Sequence, residues 1–277
     1  MIKNISNKIV LIFNHLIFKK PLIYWFKLSD EYSNRQNFGD IITPYLVKKI
    51  SKITPIHFEP NSGFSKYFKH SIMVGSILSK CREKTIVWGS GIIRENENVR
   101  NADFRVVRGP RTYKRLKQLG YNSSKIFGDP ALLLPLFYNP QRIVKYEYGI
   151  ISHYIDFNNI EMELNKHTLN VLHINLLTTN VESVIDQILS CKKIISTSLH
   201  GVIVSHAYKI PAKWWEFSNN LSGDGVKFYD YFESVNINNI KPVNERNIKS
   251  ILYEIKDYYL INENIHKEMQ YNLLLIY

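Results

Sequence analysis

Short apolar runs and longer mixed stretches alternate along the chain. PLIYWF (21–26), TIVWGSGII (85–93), FRVVRG (104–109), YGIISHYID (148–156), NVLHINLL (170–177), KKIIST (192–197) and AKWWEF (212–217) are rich in β-branched and aromatic residues and end at polar or Gly/Pro positions. That pattern predicts buried strands. Between them, GDIITPYLVKKIS (39–51), PRTYKRLKQLG (110–120), VESVIDQILSC (181–191) and LHGVIVSHAYK (199–209) carry apolar residues at helical spacing. The second of these opens on Pro110 and closes on Gly120, the usual punctuation of a helix. HSIMVGSIL (70–78) fits strand or helix, KIFGDPALLLP (125–135) predicts a short strand and a turn, and 247–277 predicts helix.

Strand–helix alternation that runs, pauses and restarts predicts two α/β domains with parallel sheets. The division falls near Leu134–Tyr146, where Pro135 and Pro140 stand, giving residues 1–140 and 141–277 as the two units. Open parallel sheets bind ligands beyond the carboxyl ends of their strands. The loops expected at those ends are 37-NFGD-40, 88-WGSG-91, 108-RGPRT-112 and 197-TSLHG-201.

Composition narrows the partners. The chain has 277 residues, 45% of them hydrophobic, enough for a sizeable core, and a formal net charge of +12. The charge favours phosphorylated small molecules, polyanions or anionic membrane surfaces. It is spread along the chain, with no recognition helix, aromatic RNA-binding signature or zinc finger, so nucleic acid is not expected. Cys81 and Cys191 have neither metal nor CxxC spacing, which predicts no structural metal and a reducing compartment. The apolar run 9-IVLIFNHLIF-18 is too short to span a bilayer. It predicts an amphipathic helix over residues 1–20, packed on the domain or lying at a membrane surface.

Each loop offers its own chemistry. Arg108 and Arg111 flank the expected start of a helix, whose free N–H groups attract anions; guanidinium adds bidentate recognition of phosphate or carboxylate. Asn37 and Gly39 precede Asp40, which is either a helix cap or a catalytic carboxylate. Gly89, Ser90 and Gly91 form either a plain turn or a backbone cradle for phosphate. Asp129, before Pro130, reads as a turn residue. In TSLHG, Ser198 or Thr197 can cap a helix, Gly201 allows close approach, and His200 stands in the first turn above the sheet edge. His200 is either a satisfied core histidine or a group that exchanges protons near neutral pH. His153, ending the run 151-ISHY-154, is a second such histidine, and His206 reads as structural.

At these residues the sequence resembles the polysaccharide pyruvyltransferase family of bacterial exopolysaccharide and capsule type. The matching motifs, in order, are YW, NFGDIITPYL, VWGSGI, VRGPRT, GDPALLLP, GIISHY and ISTSLHGVIVSHAYKIPAKWW, followed by GVKFYDYFES (225–234). The resemblance implies a glycosyltransferase-B-like fold, two Rossmann-like halves with the site in the cleft between them. It implies transfer of the enolpyruvyl carbons of phosphoenolpyruvate onto two hydroxyls of a sugar, giving a pyruvate ketal and phosphate without a cofactor. The acceptor would be a glycan or its lipid-linked precursor at the cytoplasmic face of the membrane. His200 would be the general acid, Arg108 the donor-anion ligand with Lys227 as a second cation, and Asp40 the group that assists the hydroxyl or steadies the developing positive charge. Some relatives carry an arginine two places before the motif histidine; this chain has Ser198 there. Two other readings stay open: a glycosyltransferase of the same fold using a nucleotide sugar, and a non-enzymatic, membrane-associated glycan-binding or scaffold module.

Overall fold

A computed structural model describes residues 15, 17, 19–29, 31, 34–218 and 222–277. The helix expected over residues 1–20 lies almost wholly outside the described residues.

Among the described residues, two parallel sheets organise the chain. The first takes β1 (Leu22–Tyr24), β3 (Ile56–His57), β4 (His70–Ile72), β5 (Thr85–Trp88) and β6 (Asp103–Val106) in the order β3-β1-β4-β5-β6. The second takes β7 (Tyr146–Ser152), β8 (Val171–Asn175), β10 (Cys191–Ser196) and β11 (Ala212–Trp214) in the order β11-β10-β7-β8. Every neighbouring pair in both sheets is parallel. The central strands of the second sheet are apolar on both faces, as Ile150, Ile151, Ile194 and Ile195 show, each at 1% exposure or less, whereas the edge strand β6 alternates, with Asp103 and Arg105 exposed.

The helices follow the strands: α1 (Phe38–Ser51), α2 (Pro110–Gln118), α3 (Leu134–Phe137), α4 (Phe157–Leu164), α5 (Val181–Leu189), α6 (Leu199–Ala207), α7 (Val226–Ser234), α8 (Ile248–Tyr253) and α9 (Glu263–Ile276). A short antiparallel pair, β2 (Gln36–Asn37) with β9 (Leu177–Thr178), ties the start of α1 to the second sheet, and Phe38 N donates to Leu176 O at 2.8 Å. The largest apolar cluster runs from Ile23, Trp88 and Val106 beside the first sheet to Ile151 and Ile194 of the second, so the two sheets share buried surface. Helix α6 lies in the middle of it. Leu199, Gly201 and Val202 to Ala207 are all buried, the all-round burial expected of a helix apolar on every face. His206 is tolerated there because both ring nitrogens are satisfied, Nδ1 by Tyr231 Oη at 3.0 Å and Nε2 by Tyr259 O at 2.9 Å.

The alternation read from sequence is the alternation observed, with local differences. The 70–78 segment resolves to the strand His70–Ile72 and then turns at Gly75, whose φ is +111°. KIF (125–127) contributes no strand, only an isolated parallel bridge from Val107 to Phe127. The terminal stretch breaks into α8 and α9. Helices α4 and α7 and the β2–β9 pair are additions that periodicity did not announce. Among the described residues no helix is long and apolar enough to cross a membrane.

Candidate functional site

The carboxyl ends of β4, β7 and β10 face one cavity of about 310 Å³. Asn37 and Asp40 enter it from the start of α1, Ser76 from the turn after β4, His153 from the end of β7, Ser198 and His200 from the start of α6, and Lys227 from the first turn of α7. Residues spread across most of the chain thus meet at the place where parallel-sheet proteins gather their ligands.

Asp40 stands in the first turn of α1, three residues after the cap position at Asn37, so it is not the helix cap. The Asn37 side-chain amide donates to Asp40 Oδ2 at 2.8 Å, and its side chain caps none of the backbone N–H groups of the helix. Burial pushes the Asp40 carboxyl up to about 6, while the bond from Asn37 and the positive charges of His200 and Lys227 pull in the opposite direction. A carboxyl near that value exchanges protons at neutral pH.

His200 is fixed from two sides. The ring lies over the backbone of Gly39, where an added Cβ would stand 2.3 Å from Nδ1. Its other nitrogen, Nε2, points at Asp129 Oδ2, 3.8 Å away. The turn that delivers the ring is knotted by Ser196: its hydroxyl accepts from Ser198 N at 3.0 Å, and a Cβ on Gly201 would fall 2.2 Å from that hydroxyl oxygen. Gly201 is therefore required for packing and is not among the residues lining the cavity.

Lys227 brings the cation. Burial lowers its ammonium to about 8, helped by the Arg108 charge and opposed by Asp40. His153 is anchored by its N–H to Thr197 Oγ1 at 2.8 Å, and burial with the nearby Lys227 charge lowers its ring to about 4, leaving it neutral at physiological pH.

The arginine and glycine motifs are placed elsewhere. Arg108 is 0% exposed; Nε donates to Asp230 Oδ2 at 3.0 Å, an amino group to Ser76 Oγ at 2.6 Å, and the other to Ile92 O at 2.7 Å. Asp230 also accepts from Thr112 N at 2.8 Å and Thr112 Oγ1 at 2.7 Å. An anion does sit at the start of α2 beside Arg108, as the sequence predicts, and it is a carboxylate of the protein itself. Among the described residues, the hydrogen-bond link from Arg108 to the cavity lining runs through Ser76. Arg111 donates from Nε and a terminal nitrogen to Glu233 Oε1 at 2.8 and 2.6 Å and lines a separate surface depression.

Gly89, Ser90 and Gly91 spend their polar groups internally. Gly89 N donates to Val106 O, Gly91 N to Gly75 O, and Ser90 Oγ to Gly75 O. A Cβ on Gly89 would meet Pro130 Cδ at 2.2 Å, and one on Gly91 would meet the Arg108 guanidinium at 2.4 Å. This loop packs the RGPRT and GDPA segments together; none of its residues lines the cavity with His200.

Asp129 is the residue that sequence reading passed over. It is fully buried, and Oδ1 accepts from Ala131 N at 2.9 Å, which is the turn role expected of Asp before Pro. Its second oxygen faces His200, a relationship with no local signal.

A cavity that collects an ionisable carboxyl, a histidine and a lysine at the strand ends can bind an anion and move a proton. The sequence profile of polysaccharide pyruvyl transferases matches residues 21–212. The chain belongs to the polysaccharide pyruvyl transferase family. It is also similar to an uncharacterised protein of Acanthamoeba polyphaga mimivirus, 34% identical over 203 residues that cover 70% of this chain and 69% of that protein. No solved structure matches the chain significantly. Membership of the polysaccharide pyruvyl transferase family implies a transferase that places a pyruvyl group on a polysaccharide. The matched segment contains Asp40, Asp129, His153 and His200, while Lys227 lies beyond it.

Proposed function

We propose that this member of the family takes its pyruvyl group from phosphoenolpyruvate and joins it to two hydroxyls of one sugar as a ketal, releasing phosphate, in a cleft between two Rossmann-like halves of a glycosyltransferase-B-like fold. The observation that carries this reading is the meeting of His200, Asp40 and Lys227 in one cavity.

The chemistry asks for three things. The donor brings a phosphate and a carboxylate, and Lys227 with the first-turn N–H groups of α6 gives it a cationic seat. The methylene carbon needs a proton, supplied by His200, and the adjacent carbon becomes electron-poor. The first sugar hydroxyl bonds to that carbon and gives its proton to Asp40. Departure of phosphate then breaks the carbon–oxygen bond to the phosphoryl group, the second hydroxyl bonds to the same carbon, and its proton leaves with phosphate. One hydroxyl proton leaves on phosphate, and the other, taken by Asp40, restores the one His200 gave to the methyl group, so the reaction balances with no redox partner. Asp40, lifted to about 6 by burial, is ionised for much of the time at pH 7 and accepts a proton at small cost. Ser198, standing where some relatives have arginine, offers a hydroxyl in place of a charge. Lys227 then carries the donor binding that Arg108, paired with Asp230, does not supply directly. The acceptor is a surface glycan or its lipid-linked precursor, met at the inner face of the membrane.

The deciding experiment is ligand-induced stabilisation of the purified protein, followed by phosphate release. Phosphoenolpyruvate alone should raise the melting temperature, because a ligand that binds only the native state stabilises it by mass action. Lys227→Met should shrink that rise at the same donor concentration. A rise with uridine or cytidine nucleotides and none with phosphoenolpyruvate would overturn the donor assignment in favour of a nucleotide-sugar transferase.

A further inference from the structure

We infer that Asp129 is the positioning residue of His200, fixing the ring so that Nε2–H faces Asp129 and Nδ1 is the nitrogen that delivers the proton. This rests on the reading of His200 as the general acid.

Asp129 Oδ2 and His200 Nε2 are both buried and neither makes a hydrogen bond. Buried polar atoms without partners are rare, and these two face each other across 3.8 Å. That separation is too long for a hydrogen bond. In sites without substrate such bonds are often slack and tighten when the reacting complex forms. A carboxylate can only accept, so the ring nitrogen facing it must carry hydrogen. Nε2 therefore keeps its proton and Nδ1 is left for the exchange. Nδ1 is the nitrogen over Gly39, at the start of the helix that carries Asp40.

The surroundings hold Asp129 in place from several directions. Oδ1 is pinned by Ala131 N. Pro130, the next residue, fits against Gly89, whose φ of +98° and missing Cβ make the room. Helix α9 closes the outside: His266 Nε2 and the Gln270 amide both bond to Leu132 O at 3.0 and 2.8 Å, and Leu273 packs on Gly128. Two motifs with no group in the cavity, WGSG and GDPA, are thereby accounted for as the mount for one carboxylate.

During the reaction the doubly protonated ring gives its Nδ1 proton to the methylene carbon and becomes neutral with hydrogen on Nε2. Asp129 orients the ring and is not itself a proton carrier, the same division of labour seen in acid–histidine pairs generally.

Asp129→Asn is the informative variant. Its Oδ1 still accepts from Ala131 N, so the turn is kept, while the amide N–H replaces Oδ2 and points at Nε2. The neutral ring must then carry its hydrogen on Nδ1. Two-bond nitrogen correlation NMR on protein labelled with ¹⁵N-histidine, with His200 assigned by its loss in His200→Gln, reads the tautomer directly. The expected result is Nε2–H in the native protein and Nδ1–H in Asp129→Asn. Alongside it, kcat should fall by about 10²–10⁴-fold with the donor KM within about twofold of native. A native ring with hydrogen on Nδ1, or an Asp129→Asn protein with native tautomer and native kcat, would overturn the assignment. The NMR arm does not depend on the donor. If phosphoenolpyruvate proves to be the wrong donor, the tautomer still decides the role of Asp129; if the tautomer is unchanged while phosphate release proceeds, the donor reading stands and Asp129 does not.

Discussion

Gly39 has no side chain because His200 occupies the place where one would be: an ideal Cβ would lie 2.3 Å from Nδ1 and 2.7 Å from Cγ of the ring. Gly39 is a helical residue of α1, where alanine is ordinarily favoured over glycine by about 0.5–1 kcal/mol. Stability and activity should therefore part company. Gly39→Ala displaces the imidazole, and a displacement of about 1 Å at a reacting group costs on the order of 10²-fold in rate. The expected protein is folded by circular dichroism, melts within a few degrees of native, and is about 10²-fold slower in phosphate release. Native kcat would show that His200 need not sit where it does.

Asp40 should mark both the rate and the stability with the same titration. Its carboxyl lies at about 6 in the folded protein against 3.8 for the free group, with burial as the first cause. The folded state thus binds the proton more tightly than the unfolded chain, and ionising Asp40 destabilises the fold. That penalty is absent below pH 4, grows as pH rises and is complete above pH 6, where the shift corresponds to about 2–3 kcal/mol. Asp40→Asn should be the more stable protein at pH 7, by up to about that amount, with the advantage gone at pH 4. As the proposed base Asp40 must be ionised, so kcat/KM should climb through pH 6 in the native enzyme. Urea titrations at the two pH values and a pH–rate profile test both halves. Equal stability of the two proteins at pH 7 would contradict the burial argument.

Arg108 and Arg111, alike in the sequence, should behave unlike each other. The Arg108–Asp230 pair is fully buried, and removing one member strands the other charge, a loss of about 3–5 kcal/mol. Arg108→Met or Asp230→Asn should accordingly lower the urea midpoint sharply. Replacing both with apolar residues should recover much of the loss, since such exchanges are often neutral. The Arg111–Glu233 pair is about one-third exposed on both sides, where pairs contribute about 1 kcal/mol or less. Arg111→Ala should leave donor KM unchanged and stability nearly so.

How far the sequence foretold this can be judged from those same residues. The parallel strands and the helices after them were legible because apolar blocks of strand length alternate with helical periodicity, and that pattern is local. The loops that reach the cavity were legible too, since Asn37, Asp40, His153, Ser198 and His200 all stand at the ends of apolar blocks. RGPRT shows where local reading stops. The expectation of an anion beside Arg108 at a helix start was sound physics, but the anion is Asp230, 122 positions further on, and nothing near Arg108 announces it. Asp129 shows the same limit from the other side: its turn chemistry is real, and its second oxygen has a role only because the fold lays α6 beside it. Lys227 lies on a helix that periodicity did not predict, and family likeness rather than spacing brought it into view.

Lys227 should be the residue that separates donor binding from chemistry. It lies in the cavity with His200 and Asp40 and is the lysine there whose charge Asp40 feels. A charge-assisted hydrogen bond contributes about 1.5–3 kcal/mol, which is about a 10- to 150-fold change in affinity. Lys227→Met should raise the donor KM by that factor, with kcat changed much less than in His200→Gln. The ammonium also sets a pH limit. Held down to about 8 by burial and by the Arg108 charge, it loses its proton well below the usual lysine range, so donor affinity should fall as pH rises through 8. Lys227→Arg keeps its charge at every such pH. Its donor KM, though raised by the altered shape, should be flat from pH 7 to 9. Measuring KM for phosphoenolpyruvate across that interval in the native, Met and Arg proteins tests the assignment. A native KM that does not move between pH 7 and 9 would take the donor anion away from Lys227 and leave the first-turn amides of α6, and Arg108 acting through Ser76, to hold it.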